Sequence, residues 1–164
     1  MLLELRRIFA GEGPELEINY TIDLSSLEIA PGKYPFKEPV SVRGRVRNKA
    51  DVVELRAEAV FDFFTHCDRC CREITEHLTV PLNYVLATSA QSEDSDDIIV
   101  VENEKLDLDE LAVSNIILSL PMKHLCKEDC KGLCPVCGKN LNDGPCGCGG
   151  EIDPRLAALK DLFE

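Results

Sequence analysis

Residues 126–148 carry six of the chain's nine cysteines, spaced Cys126-x3-Cys130-x3-Cys134-x2-Cys137-x8-Cys146-x-Cys148. Two thiolates separated by two residues can grip one tetrahedral ion. The glycine after Cys137, Gly138, permits the tight turn that aims backbone amides at the sulfurs. Little else in this stretch can order a chain. From Lys127 to Glu151 the larger apolar side chains are Leu133, Val136 and Leu141, too few to offset the entropy of fixing the backbone. Such a segment folds around a metal ion or stays unfolded.

A length of 164 residues allows one ordinary core and a small appendage. The sequence shows no leading apolar segment with a basic start, and no apolar run near the ~20 residues of a membrane-spanning helix, so a cytoplasmic location is expected. Thiols stay reduced there, and nine cysteines then point to metal or redox chemistry rather than to a disulfide framework. The net charge is −12, and residues 89–125 hold nine acidic side chains against two basic ones, centred on Glu93-Asp94-Ser95-Asp96-Asp97. Metal-bound thiolates would make the molecule more negative still. Non-specific nucleic-acid affinity comes from cationic groups displacing counterions, so a general nucleic-acid binder is excluded. No DNA or membrane partner is expected; a local basic face or a basic protein partner remains compatible.

The first half of the chain alternates at period two. Val40, Val42, Gly44 and Val46 share one face of a strand over residues 40–47, with Ser41, Arg43, Arg45 and Arg47 on the other. Turn chemistry at residues 48–51 leads into a second strand with Val53, Leu55, Ala57, Ala59, Phe61 and Phe63 on one face. Leu78, Val80, Leu82, Tyr84 and Leu86 mark a third, residues 98–101 a short fourth, and residues 16–20 an edge strand. Pro31, Pro35 and Pro39 punctuate a loop. Asp107 reads as an N-cap with Glu110 completing a capping box, and Val113, Ile116, Ile117 and Leu120 fall on one face of a helix over about 108–120, closed by Pro121. Asp153-Pro154 opens a last helix. The expected fold is α+β. Residues 1–122 form an antiparallel sheet, open or barrel-like, with one packed helix; residues 123–164 form a cysteine-rich zinc-binding tail and a C-terminal helix.

A second pair, Cys67-Asp68-Arg69-Cys70, sits where the long second strand runs out, with Cys71 directly after it. Eight cysteines suffice for two four-sulfur zinc sites. Cys134, Cys137, Cys146 and Cys148 are expected to hold one ion; Cys67, Cys70, Cys126 and Cys130 are expected to share another and staple the tail to the sheet. Spacing leaves alternatives open. Cys126 or Cys130 can replace Cys146 or Cys148, and His66, His77 or His124 can substitute, although a histidine is more often hydrogen-bonded or exposed. Cysteines 67 and 70 also have thioredoxin-type spacing, but that chemistry wants a helix N-terminus and these lie between strands. Cys130-x3-Cys134-x2-Cys137 matches the cluster motif of radical S-adenosylmethionine enzymes, yet this chain lacks room for their barrel.

Taken in order, the Cys67-Asp-Arg-Cys70 turn, Leu118-Ser-Leu-Pro-Met122, the run from Cys126 through Cys137-Gly-Lys-Asn-Leu-Asn142, Cys146-Gly-Cys148 and Asp153-Pro-Arg155 resemble the YceD family. These are large-subunit ribosomal RNA accumulation proteins of bacteria and plastids. The resemblance implies a non-enzymatic role in accumulation of 23S rRNA and assembly of the large subunit, with 23S rRNA or the precursor particle as partner.

Three functional readings follow from the residues. An assembly factor could meet phosphates through Arg43, Arg45 and Arg47, with Lys49 at the turn, unless Glu54, Glu58 and Asp62 on the next strand neutralise them. An adaptor or holdase without RNA contact could attract a basic ribosomal protein with the acidic 93–97 run, whose plainer reading is a solvated loop. A thiol redox sensor or enzyme is the third. No nucleophile constellation or phosphate-cradling loop stands out, and a site with four thiolates has no open position for catalysis.

Overall fold

A computed structural model of the chain describes residues 1–13, 15–88 and 97–148. The acidic residues Glu93 to Asp96 and the helix expected from Asp153 lie outside the described residues.

The core is a sheet of five strands: β2 (Glu15–Ile22), β3 (Val40–Lys49), β4 (Val52–His66), β5 (Glu73–Ala87) and β6 (Ile98–Val100), in that spatial order. Alternation explains why β3 and β4 form. Val40, Val42 and Val46, and all six expected residues from Val53 to Phe63, are buried on one face, while the charged partners point outward. Each large aliphatic side chain taken out of water on this face contributes about 1.5–3 kcal/mol. β4 and β5 pair along their whole length, from Val53 opposite Leu86 to His66 opposite Glu73. Gly44 of β3 has a special reason to lack a side chain. A Cβ there would lie 2.3 Å from the Cα of Ala57 and from the carbonyl oxygen of Arg56.

A second, two-stranded sheet joins β1 (Leu2–Glu4) to β7 (Lys105–Asp107), with the one-turn helix α1 (Arg6–Phe9) between β1 and β2. The helix α2 (Leu108–Ser119) starts at Asp107, whose Oδ1 accepts from the amides of Asp109 at 3.0 Å and Glu110 at 3.3 Å. It docks on β5, where the Tyr84 hydroxyl donates to Asn115 Oδ1 at 2.6 Å. The loop before β3 is not a bystander. Phe36 is buried between Phe61 and Phe63, with ring centroids 5.5 and 5.8 Å away.

Three expectations need correction. The five-stranded sheet runs open from β2 at one edge to β6 at the other, so it is not a barrel. It is also not wholly antiparallel: Val85, Leu86 and Ala87 pair in parallel with Ile98, Ile99 and Val100. Ten residues, 88–97, separate the two strands in sequence, more than the two of a tight antiparallel hairpin. On α2 the buried residues are Leu108, Ala112 and Ile116, whereas Val113 and Leu120 are half-buried and Ile117 is exposed. Apolar side chains surround this helix, so periodicity does not single out the face that the contact with β5 selects.

Candidate metal centres

The turn between β4 and β5 builds the first half of a site. The amide of Cys71 donates to the carbonyl of Cys67 at 2.9 Å, and the amide of Cys67 to that of Arg72 at 2.8 Å. The loop so closed directs backbone amides toward the Cys67 sulfur. Cys126 and Cys130 arrive from the tail. The four sulfurs of Cys67, Cys70, Cys126 and Cys130 lie within 4.8 Å of one another, with Cys67–Cys130 at 3.7 Å and Cys70–Cys126 at 3.6 Å. A disulfide would need about 2.05 Å. A tetrahedral zinc with bonds of about 2.3 Å puts its sulfurs about 3.8 Å apart, close to the observed spacing. We call this the clasp group, because it joins the sheet to the tail. Cys67, Cys70 and Cys130 are buried there, with Leu125 packed alongside.

Polar contacts surround the clasp. Asp68 donates its amide to the carbonyl of His124 at 2.8 Å, and its Oδ2 accepts from the His124 amide at 2.7 Å. The Arg69 guanidinium donates to the carbonyl oxygens of Cys130 at 2.7 Å and Glu128 at 3.3 Å, while the Arg69 carbonyl accepts from the Leu133 amide at 3.1 Å.

The second knuckle follows in the tail and repeats the first. The Gly138 amide donates to the Cys134 carbonyl at 2.9 Å, and the Cys134 amide to the Lys139 carbonyl at 2.8 Å. A single-turn 3-10 segment, Leu141–Asp143, carries the chain back toward Cys146 and Cys148. Lys139 Nζ donates to the Pro145 carbonyl at 3.0 Å across that loop. The sulfurs of Cys134, Cys137, Cys146 and Cys148 again lie within 4.8 Å of one another. This is the tail group.

The electrostatics of both groups ask for a cation. Burial opposes charge on Cys67, yet the amides of Cys126, Cys70 and Arg69 draw its pKa down to about 6. Burial and the neighbouring sulfurs push Cys126 up to about 12. Cys130 is lowered, first by the side chain of Asn142. The amide of Arg72 works to lower Cys70, but burial and the sulfurs of Cys67 and Cys130 leave it raised. In the tail group the amides of Cys137 and Val136 lower Cys134 to about 6, while the bond to Cys137 and burial raise Cys148 to about 12. Sulfurs this close cannot all ionise without a counter-charge. Soft thiolate donors in fours suit zinc or an iron–sulfur centre, and both groups can hold a metal ion.

The remaining candidates are elsewhere. Cys130 belongs to the clasp while Cys134 and Cys137 belong to the tail group, so the three cysteines of the cluster-like motif do not converge. Among the described residues no histidine joins either group. His124 stacks on Phe63 with centroids 5.1 Å apart and bonds Glu76 at 2.9 Å, His66 faces Glu73, and His77 bonds Asp62. Cys71 is exposed. On the outer face of the sheet Arg45 pairs with Glu15 at 3.3 Å and Arg47 with Glu54 at 3.0 Å, and Glu54 also meets Arg56 at 3.3 Å. Glu15 and Glu54, rather than Glu58 or Asp62, neutralise the two paired candidates. Arg43 and Lys49 have no ion pair among the described residues, where no helix is long and apolar enough to cross a membrane. Sequence reasoning overlooked Asn142, which sits beside the clasp sulfurs. The Asn140-x-Asn142 pair between cysteines was the available signal.

The chain is 31% identical over 101 residues to uncharacterized proteins of Mycobacterium bovis and Mycobacterium tuberculosis, a stretch covering 59% of this chain and 49% of each relative. With an uncharacterized protein of Mycobacterium leprae it shares 27% over 129 residues, 76% of this chain and 59% of the other. The chain thus spans about half the length of the mycobacterial relatives it matches. No solved structure matches it. The family model described as large ribosomal RNA subunit accumulation protein YceD matches residues 55–163, from near the start of β4 through both cysteine groups and beyond. The chain belongs to the YceD family.

Proposed function

We propose that this chain is a non-enzymatic zinc protein of the cytoplasm that supports accumulation of 23S rRNA and assembly of the large ribosomal subunit. The observation that carries the metal part is the clasp group, whose sulfurs come in pairs from the sheet turn and the tail at spacings that suit a tetrahedral ion. Its physical logic is one of scale. Ordering the tail costs about 1–2 kcal/mol per residue of backbone entropy, and it lacks a core of its own. A structural zinc supplies about 10–16 kcal/mol at neutral pH. In this reading residues 1–122 are the sheet domain and residues 123–164 a metal lobe held against it. With four thiolates on each ion the metal is structural, closed to substrate.

The test combines composition with phenotype. Protein purified without added metal should carry two zinc ions, falling to one in Cys137→Ser and to one in Cys70→Ser. Depleting the chain should lower the ratio of 23S to 16S rRNA, and neither single-site variant should restore it fully. Iron with sulfide in place of zinc, or an unchanged rRNA ratio, would refute the proposal.

One observation favours a second reading, a holdase for a basic ribosomal protein. Two of the four candidate phosphate contacts, Arg45 and Arg47, are engaged by carboxylates, and the net charge is −12. Salt-sensitive capture of a basic large-subunit protein, with no retention of naked 23S rRNA fragments, would select it over direct RNA contact.

A further inference from the structure

Asn142 belongs to one metal group by sequence and to the other by contact. It lies between Cys137 and Cys146, inside the loop that the tail group closes, in the 3-10 turn Leu141–Asp143. Its Nδ2 donates to the sulfur of Cys130 in the clasp group at 3.3 Å and to Asn140 Oδ1 at 2.8 Å. Its Oδ1 accepts from the Lys131 amide at 3.0 Å, and its own amide donates to Asn140 Oδ1 at 3.0 Å. Both side-chain N–H directions and one acceptor direction are therefore used, and the rotamer is fixed from three sides. The Leu141 amide, donating to the Gly132 carbonyl at 2.9 Å, fixes the turn itself on the segment that links Cys130 to Cys134.

We propose that Asn142 is a positioning residue for the clasp metal and couples the two groups. Metal in the tail group orders the 138–145 loop, and that loop delivers the Asn142 N–H to Cys130, tightening metal binding in the clasp. The physical reason is charge. Four thiolates around one divalent cation leave a net negative centre in a buried place, and an N–H donor aimed at one sulfur relieves it. By linkage the coupling is reciprocal: a filled clasp holds Asn142, and with it the loop, in the arrangement the tail group needs. The proposal rests on the reading that both groups bind metal.

Zn²⁺ titration of the reduced, metal-free full chain against a chromophoric chelator tests it as a cycle. Cys137→Ser leaves the clasp alone and Cys70→Ser leaves the tail group alone. The overall two-zinc constant of the wild type should exceed the product of the two single-site constants by about 10–100-fold, the usual effect of a partner that bonds a metal ligand. Asn142→Ala should bring that ratio near one while two ions still bind. Asn142→Asp keeps the acceptor for Lys131 but removes the donor to sulfur, and should lose the coupling as fully. In the Co²⁺-loaded protein the same Asp variant should shift the thiolate-to-metal charge-transfer band to lower energy, a readout that loop packing alone would not move. A wild type that binds two ions independently overturns the coupling and leaves the metal reading standing. A wild type that binds fewer than two overturns both. An unshifted cobalt band in Asn142→Asp, with the ratio retained, removes Asn142 from the clasp.

Discussion

Cys71 occupies, after the sheet knuckle, the backbone position that Gly138 occupies after the tail knuckle. Both are left-handed, with φ of 57° and 71°, and each amide bonds the carbonyl of the first cysteine of its pair at 2.9 Å. The two knuckles are the same device built once on a strand turn and once in a tail. Left-handed backbone costs an ordinary residue about 1–2 kcal/mol, partly offset because glycine loses more entropy on folding. Cys71→Gly should therefore be neutral to stabilising, by up to about 1 kcal/mol. Gly138→Ala should destabilise the metal-loaded tail by about 1 kcal/mol, although a Cβ there meets nothing within 4 Å. Denaturant titration of the zinc-loaded variants checks both; a Cys71→Gly variant less stable than wild type by more than 1 kcal/mol would deny the equivalence.

Gly44 makes the opposite case, a glycine chosen for space. A Cβ would meet the backbone of Ala57 and Arg56 at 2.3 Å, and backbone cannot rotate away. Gly44→Ala should force β3 and β4 apart and cost about 2–3 kcal/mol. A urea midpoint within error of the wild type's would show that the strands accommodate the methyl group freely.

Arg47 and Glu54 bear on where phosphate could land. The Glu54 carboxylate accepts from the Arg47 guanidinium at 3.0 and 3.3 Å, and this bond holds its pKa below the ordinary glutamate value, with Arg56 assisting. A depressed carboxyl contributes stability that is full above its unfolded pKa and is lost as the pH falls through the folded one. Arg47→Ala should return the Glu54 titration, followed by carboxyl NMR, toward the ordinary value. An RNA phosphate at Arg47 must displace Glu54, whereas one at Arg43 displaces no ion pair among the described residues. Arg43→Glu should thus weaken any RNA binding more than Arg47→Glu, with the melting temperature held. Equal losses, or none, would remove this face from consideration as an RNA contact.

How much of this was legible in the sequence depended on distance along the chain. The alternation of β3, β4 and β5 is local and dense, so their apolar faces could be read from the residues alone; the ends could not, for Asn48 and Lys49, read as turn, pair within β3, and β5 begins at Glu73, ahead of the alternation from Leu78. The Asp107 cap is equally local. The β1–β7 pair was not legible, because three-residue strands carry no period and their partners lie about a hundred positions apart. The parallel seating of β6 on β5 is a pairing between strands, which no local pattern encodes. The cysteine spacing could propose two sets of four, but only the fold brings the β4–β5 turn to the tail. The histidines show the limit from the other side. Their nearness to cysteines in sequence made them substitutes, while stacking on Phe63 and bonding to Glu76 give His124 a different task.

Metal removal should separate the tail from the sheet without unfolding the sheet. The two are distinct in packing: Cys67, Cys70 and Cys130 form a cluster of their own, apart from the hydrophobic core under β3, β4 and β5. Beyond the sulfurs, the tail is held by the stacking of His124 on Phe63 and by hydrogen bonds such as those from Asp68 and Arg69, each worth about 1 kcal/mol net. That is far less than the cost of ordering residues 123–148 at about 1–2 kcal/mol each. Chelation under reducing conditions should therefore open Lys123, Lys127, Lys131 and Lys139 to trypsin and leave a resistant fragment containing β1 to α2. Far-UV circular dichroism should keep its strand signal, and restoring Zn²⁺ should restore protection. In Cys137→Ser the first cuts should fall after Lys139, because the clasp still holds Lys127 and Lys131 near the sheet. In Cys70→Ser the first cuts should instead fall after Lys123, Lys127 and Lys131, because the tail group still holds Lys139. Complete metal loss with an unchanged tryptic pattern would mean that protein contacts alone hold the tail, and the clasp would lose its structural role.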